Sequence, residues 1–129
     1  MSLLSQVLDD IPIEYRERFE AVLHASAGTR DTVVADIGRY VATVQQIAPF
    51  VKALDPELAE QLGRHCTALL ERHESGEAAD LALAAARYFV EEDDDDEITG
   101  VLGFDDDVQV VNAVCRTLGH MDLVVAVKR

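Results

Sequence analysis

The stretch EEDDDDEITGVLGFDDD, residues 91–107, carries ten carboxylates in seventeen positions and neither Lys nor Arg. Carboxylates at this density suggest three kinds of chemistry. The first is divalent-cation binding. Read from Asp95, DDEITGVLGFDD falls on a twelve-residue Ca²⁺ loop pattern, with oxygen donors at alternate positions and a glycine at the sharp turn. Asp95, Glu97 and Thr99 take ligand positions one, three and five, Gly100 the turn, Leu102 the apolar position and Asp106 the last ligand. The pattern departs from the usual one at Glu97, at Thr99, and at Asp106 where a bidentate Glu normally closes the site. The second is recognition of a basic protein surface. Asp93, Asp94, Asp95, Asp96, Glu97 and Asp105 would steer the partner, and the apolar residues of ITGVLGF would anchor it. A DNA mimic, or an immunity protein neutralising a basic nuclease toxin, works this way. The third is a solvated loop whose acids cap the adjoining helices. Asp105 to Asp107 would suit a helix start, but Glu91 and Glu92 fall at a helix end, where the macrodipole disfavours them.

Other reactive side chains form no recognisable constellation. His65 and His73 are eight residues apart in one helical pattern, farther than the i, i+4 spacing of a paired metal site, and read as boundary or surface histidines. His24 and His120 have no partner visible in the sequence. Cys66 and Cys115 sit in apolar helical patterns, which suits buried, reduced thiols rather than a disulfide framework. His65 adjoins Cys66, but neighbours on a helix point about 100° apart. There is no GxSxG, P-loop or dinucleotide fingerprint. The expectation is a non-enzymatic protein without a cofactor, a divalent cation being the alternative.

The elements that must hold the acidic stretch are helical. The 129 residues make one domain with a single core, and 49% hydrophobic residues without Trp point to close-packed aliphatic helices. The net charge is −14, of which the stretch supplies −10 and the remaining 112 residues only −4. A field of that sign repels phosphate backbones and makes direct nucleic-acid binding unfavourable. The start MSLLSQVLDD lacks the basic opening and apolar run of a signal peptide, and no apolar stretch reaches membrane-spanning length. A cytoplasmic protein is expected, and a homo-oligomer is compatible with the pattern.

Five main helices are legible, with short pieces at both ends. Residues 2–8 suggest a helical turn capped by Ser2. A helix opens near Pro12, sets Ile13, Phe19, Val22 and Leu23 on one face, and stops at Gly28. The next carries Val33, Ile37, Tyr40, Val41, Val44 and Ile47 on one stripe and ends at Pro49. A third starts at Asp55-Pro56, buries Leu58, Leu62, Cys66 and Leu69, and runs to Gly76. A fourth spans roughly 77–91, with Leu81, Ala85, Tyr88 and Phe89 inward. The fifth starts at Asp105 or Asp106, buries Val111, Val114, Cys115 and Leu118, and stops at Gly119. The tail HMDLVVAVKR would suit a strand by composition, but a lone strand has no partner, so a short terminal helix is expected.

Residues 85–119, AARYFVEEDDDDEITGVLGFDDDVQVVNAVCRTLG, resemble the YkvA-like bacterial domain of unknown function. The features carrying the resemblance are a Tyr-Phe helix end, an acidic turn, an apolar step with an aromatic, and an Asp-Asp pair opening the next helix. They correspond here to Tyr88 and Phe89, to Val101, Leu102, Gly103 and Phe104, and to Asp106 and Asp107. The family's prolines are replaced here, and aligning both ends needs a shift of one residue. The resemblance implies a helical hairpin around a fixed acidic turn, with Leu102 and Phe104 tucked into the core and Gly103 allowing the close approach. It implies no activity.

Overall fold

The computed structural model describes residues 2–24, 30–50, 55–73, 75–90 and 105–125, with the backbone alone at 105 and 106. Among these residues every regular element is helical, and the expected all-α bundle is what forms. Six helices build it: α1 (Leu3–Asp10), α2 (Ile13–His24), α3 (Arg30–Ile47), α4 (Pro56–Arg72), α5 (Gly76–Val90) and α6 (Asp105–Leu118). Short 3-10 turns follow at Ala48–Phe50 and Met121–Leu123. No described helix is long and apolar enough to cross a membrane.

The helix beyond the expected five is α1. Ser2 caps it as its sequence suggests, the Ser5 N–H donating to Ser2 Oγ at 3.1 Å. The helix then runs to Asp10, buries Val7, and hands the chain to a fully buried Ile11. Ile11, rather than Ile13, supplies the apolar contact at this corner. Pro12 interrupts the helix, so α2 restarts with Ile13 turned out and 75% exposed. Arg16 Nε donates to the Ile11 carbonyl at 3.0 Å and closes the corner.

In α4, Asp55 accepts from the Leu58 N–H at 3.0 Å, with Pro56 opening the first turn. Its end differs from expectation. The helix stops at Arg72, His73 is already extended, and Gly76, at φ +86°, opens α5 instead of closing α4. His73 is thereby turned off the helical register that would have set it two turns from His65.

The core is organised around α5, which packs against α1, α2, α3, α4 and α6. Leu81, Ala82, Ala84, Ala85, Ala86, Tyr88 and Phe89 are all buried, so the helix is covered on most of its circumference. Alanines let neighbouring backbones approach, while Tyr88 and Phe89 fill the space at its C-terminal end. Helices α3 and α4 close on one another at Gly63. A methyl group there would lie 2.9 Å from Val41 Cγ2 and 3.1 Å from Ile37 Cγ2. Gly63→Val should therefore lower the unfolding free energy by about 1–3 kcal/mol through overpacking. A urea midpoint unchanged by this substitution would mean that the two helices do not meet there.

The chain leaves α6 at Gly119, whose φ of +82° ends the helix. The Gly119 N–H reaches the Arg116 carbonyl and the His120 N–H reaches the Cys115 carbonyl, so two terminal carbonyls find donors. The expected terminal helix does not form within the described tail. A single 3-10 turn gives way to extended backbone at Val124. The Val125 backbone finds its partner in a side chain. The Val125 N–H donates to Asn112 Oδ1 at 2.7 Å, and Asn112 Nδ2 donates to the Val125 carbonyl at 3.0 Å.

Candidate functional site

The acidic stretch joins α5 to α6, and both of its ends are anchored. Tyr88 and Phe89, each 1% exposed, lock the end of α5 into the core, as their place in the helical pattern predicts. The Arg18 guanidinium lies 4.5 Å from the Tyr88 ring centroid, and Tyr40 meets the Phe89 ring edge-on at 5.0 Å. At the other end Asp105, Asp106 and Asp107 form the first turn of α6, where negative charge is favoured. The Asp107 side chain is buried, as are Val108, Val110 and Val111 behind it. Between these anchors, Asp93, Asp94, Asp95, Asp96, Glu97, Thr99, Leu102, Gly103 and Phe104 lie outside the described residues, as do the side chains of Asp105 and Asp106.

A second polar site is built where α4 ends beside the segment following α6. Arg72 Nη1 and Nη2 donate to the two carboxylate oxygens of Asp122 at 3.2 and 2.8 Å. Arg72 holds the Asp122 carboxyl below its usual range, chiefly through that hydrogen bond. The same Nη1 lies 3.2 Å from His120 Nδ1. Because a guanidinium only donates, His120 Nδ1 is an acceptor, and the ring hydrogen of the neutral imidazole sits on Nε2. That hydrogen points at His73 Nε2, 2.7 Å away. His73 Nε2 must accept, which places the hydrogen of His73 on its Nδ1. The ring centroids are 4.9 Å apart, close to the nitrogen gap plus two ring radii, so the rings meet head-on.

This donor chain, Arg72 to His120 to His73, determines what the pair can do. A bridging metal needs both Nε2 lone pairs bent toward one point, and it needs the hydrogen of each ring on Nδ1 facing an acceptor. Here the lone pair and the hydrogen meet head-on, and His120 Nδ1 faces a donor. Among the described residues no three His, Cys, Asp or Glu side chains are grouped to hold a metal ion.

Nearby, His65 Nδ1 donates to the Leu123 carbonyl, which also accepts from the Cys115 thiol at 3.7 Å. Both cysteines are free and buried. Burial raises the Cys66 thiol well above its ordinary range, with Cys115 and Asp107 adding to the shift. Burial, helped by Asp122, pushes Cys115 up to about 11. Both are thiols at neutral pH, the unreactive form.

His73 and His120 are 47 positions apart, and no periodicity connects them. The signal available is local. Arg72-His73 and His120-x-Asp122 each sit at or just beyond a helix end, where the chain turns and polar side chains can reach a neighbour. Compared with family models, with curated proteins and with solved structures, the chain matches none.

Proposed function

We propose that the chain is a non-enzymatic interaction protein that presents its acidic 91–107 segment to a basic protein surface. One observation carries this reading. Ten acids and no base are concentrated in 91–107, from the end of α5 into the first turn of α6, and Tyr88, Phe89 and Asp107 at those two helix ends are buried. The bundle thus tethers a strongly anionic segment at two fixed points, which reduces the entropy lost when a partner docks. Asp93, Asp94, Asp95, Asp96, Glu97 and Asp105 supply the field, and the apolar residues of ITGVLGF supply the anchor. The YkvA-like resemblance belongs to the same proposal. Its Tyr88–Phe89 pair and Asp107 coincide with the two anchors.

The test replaces Asp93, Asp94, Asp95 and Asp96 together by Asn, which removes four charges at nearly constant size. A lysine-rich peptide serves as the basic probe. Wild type should bind it at low salt and release it as salt rises, and the variant should associate roughly 10-fold more slowly or worse. The free variant should also be slightly more stable at low salt, because self-repulsion is relieved. Equal binding by both proteins would remove the proposal. Titration with Ca²⁺ separates the alternative, a cation held by Asp95, Glu97, Thr99 and Asp106. In that case Ca²⁺ raises the wild-type melting temperature with the logarithm of its concentration and leaves the variant's unchanged.

A further inference from the structure

We propose that the His73–His120 junction is an acid-sensitive fastening, and that adding a proton to it favours release of residues 120–125 from the bundle. The donor chain runs one way, from Arg72 Nη1 to His120 Nδ1 and from His120 Nε2 to His73 Nε2. It accommodates both imidazoles only as neutral rings. A proton added at His120 Nδ1 faces the Arg72 guanidinium, and one added at His73 Nε2 faces the hydrogen of His120. Either addition replaces a hydrogen bond by two opposed N–H groups, and the one at His120 also sets an imidazolium against the Arg72 guanidinium.

Among the described residues, the surrounding groups do not relieve this conflict. From α4 and its C-cap come Arg72 and His73, and His65 of α4 is engaged with the Leu123 carbonyl. From α6 come Cys115, uncharged at neutral pH, and Arg116, whose Nε is tied to Asp10 of α1 at 2.7 Å. The segment itself contributes Asp122, which among the described residues is the group that favours a proton on His120, and Arg72 already binds both of its oxygens. The net effect follows the geometry. Burial, His73 and Arg72 together hold the His120 imidazole below its ordinary range against the pull of Asp122.

A folded-state value below the unfolded one gives a definite direction. The fastening contributes fully above the unfolded-state imidazole value, near pH 6.5, and weakens as pH falls below it. Asp122, also depressed, loses its proton-dependent contribution only at lower pH, below the ordinary carboxylate range. Mild acidification should therefore loosen 120–125 before it affects the Arg72–Asp122 pair. Its release would uncover the Cys115 thiol beneath Leu123 and the apolar floor under Leu123 and Val125.

Native-state hydrogen exchange tests the device at the Val125 amide, with the Val111 amide as a core reference. Val125 should be less protected than Val111 at neutral pH, reporting a local opening. Its protection factor should fall as the pH drops below about 6.5, by at most about 10-fold per pH unit, since one proton is linked to the opening. In the double variant His73→Gln, His120→Gln that slope should flatten. Two outcomes overturn the proposal: a wild-type slope no steeper than the variant's, or one protection factor shared by Val125 and Val111 at every pH. Should the variant not fold, NMR titration of the wild-type imidazoles decides. His120 should titrate below its ordinary range, and ordinary titration of that ring defeats the proposal.

Discussion

Phe89→Ala should lower the unfolding free energy by about 3–5 kcal/mol, a large part of what a domain of this size commands. Phe89 is 1% exposed near the end of α5, edge-on to Tyr40 of α3 at 5.0 Å. Its Cε2 also lies 3.9 Å from the position a methyl group on Gly63 of α4 would occupy. Three helices thus converge on one ring. Truncation removes the buried aromatic surface and the edge-to-face contact, and it leaves a cavity between helices already held close by Gly63. Phe89→Leu keeps part of the volume and should fall between wild type and the alanine variant. Urea denaturation followed by far-UV circular dichroism measures both. A loss below about 1 kcal/mol for Phe89→Ala would place the residue outside a packed core.

Phe89 was legible in the sequence for a simple reason. Burial of a helix face leaves a periodic trace, and Leu81, Ala85, Tyr88 and Phe89 carry it, as do Val33, Ile37 and Val44 in α3. Caps are equally local, so Ser2, Asp55 and Gly119 could be assigned from their neighbours alone. Corners are less transparent. Ile11 and Ile13 are chemically identical and flank the same proline, and only the packing angle between α1 and α2 decides which is buried. Gly76 is a similar case, because a left-handed glycine serves a helix start as readily as a helix stop.

The sites divide along the same line. The acidic stretch announces itself by composition, because charge density needs no tertiary information. The His73–His120 junction depends on where α4 stops and on how the chain turns after α6, and neither is periodic. With His73 assigned to the interior of a helix, its approach to His120 could not be foreseen. Asn112 illustrates the point further. A polar residue in the valine-rich α6 looks like an ordinary exposed position, yet it is 7% exposed and supplies both hydrogen-bond partners of the Val125 backbone.

Asn112→Ala should accordingly destabilise the protein by about 2–4 kcal/mol, more than most single polar truncations. The side chain makes two bonds to one residue, accepting from the Val125 N–H at 2.7 Å and donating to the Val125 carbonyl at 3.0 Å. Val125 is 2% exposed, so alanine at 112 leaves a buried backbone donor and acceptor without partners, and each such group costs about 1–3 kcal/mol. Asn112→Asp sharpens the test. The carboxylate still accepts from the N–H but sets a negative oxygen against the Val125 carbonyl, so the variant should recover stability as acid protonates the new side chain. That response runs opposite to the acid weakening expected at His73 and His120, which separates the two fastenings of one segment. Thermal denaturation across a pH series distinguishes them, with exchange at the Val125 amide as the local readout. If Asn112→Ala leaves both the melting temperature and Val125 protection at wild-type values, the Asn112 side chain is not what holds the tail.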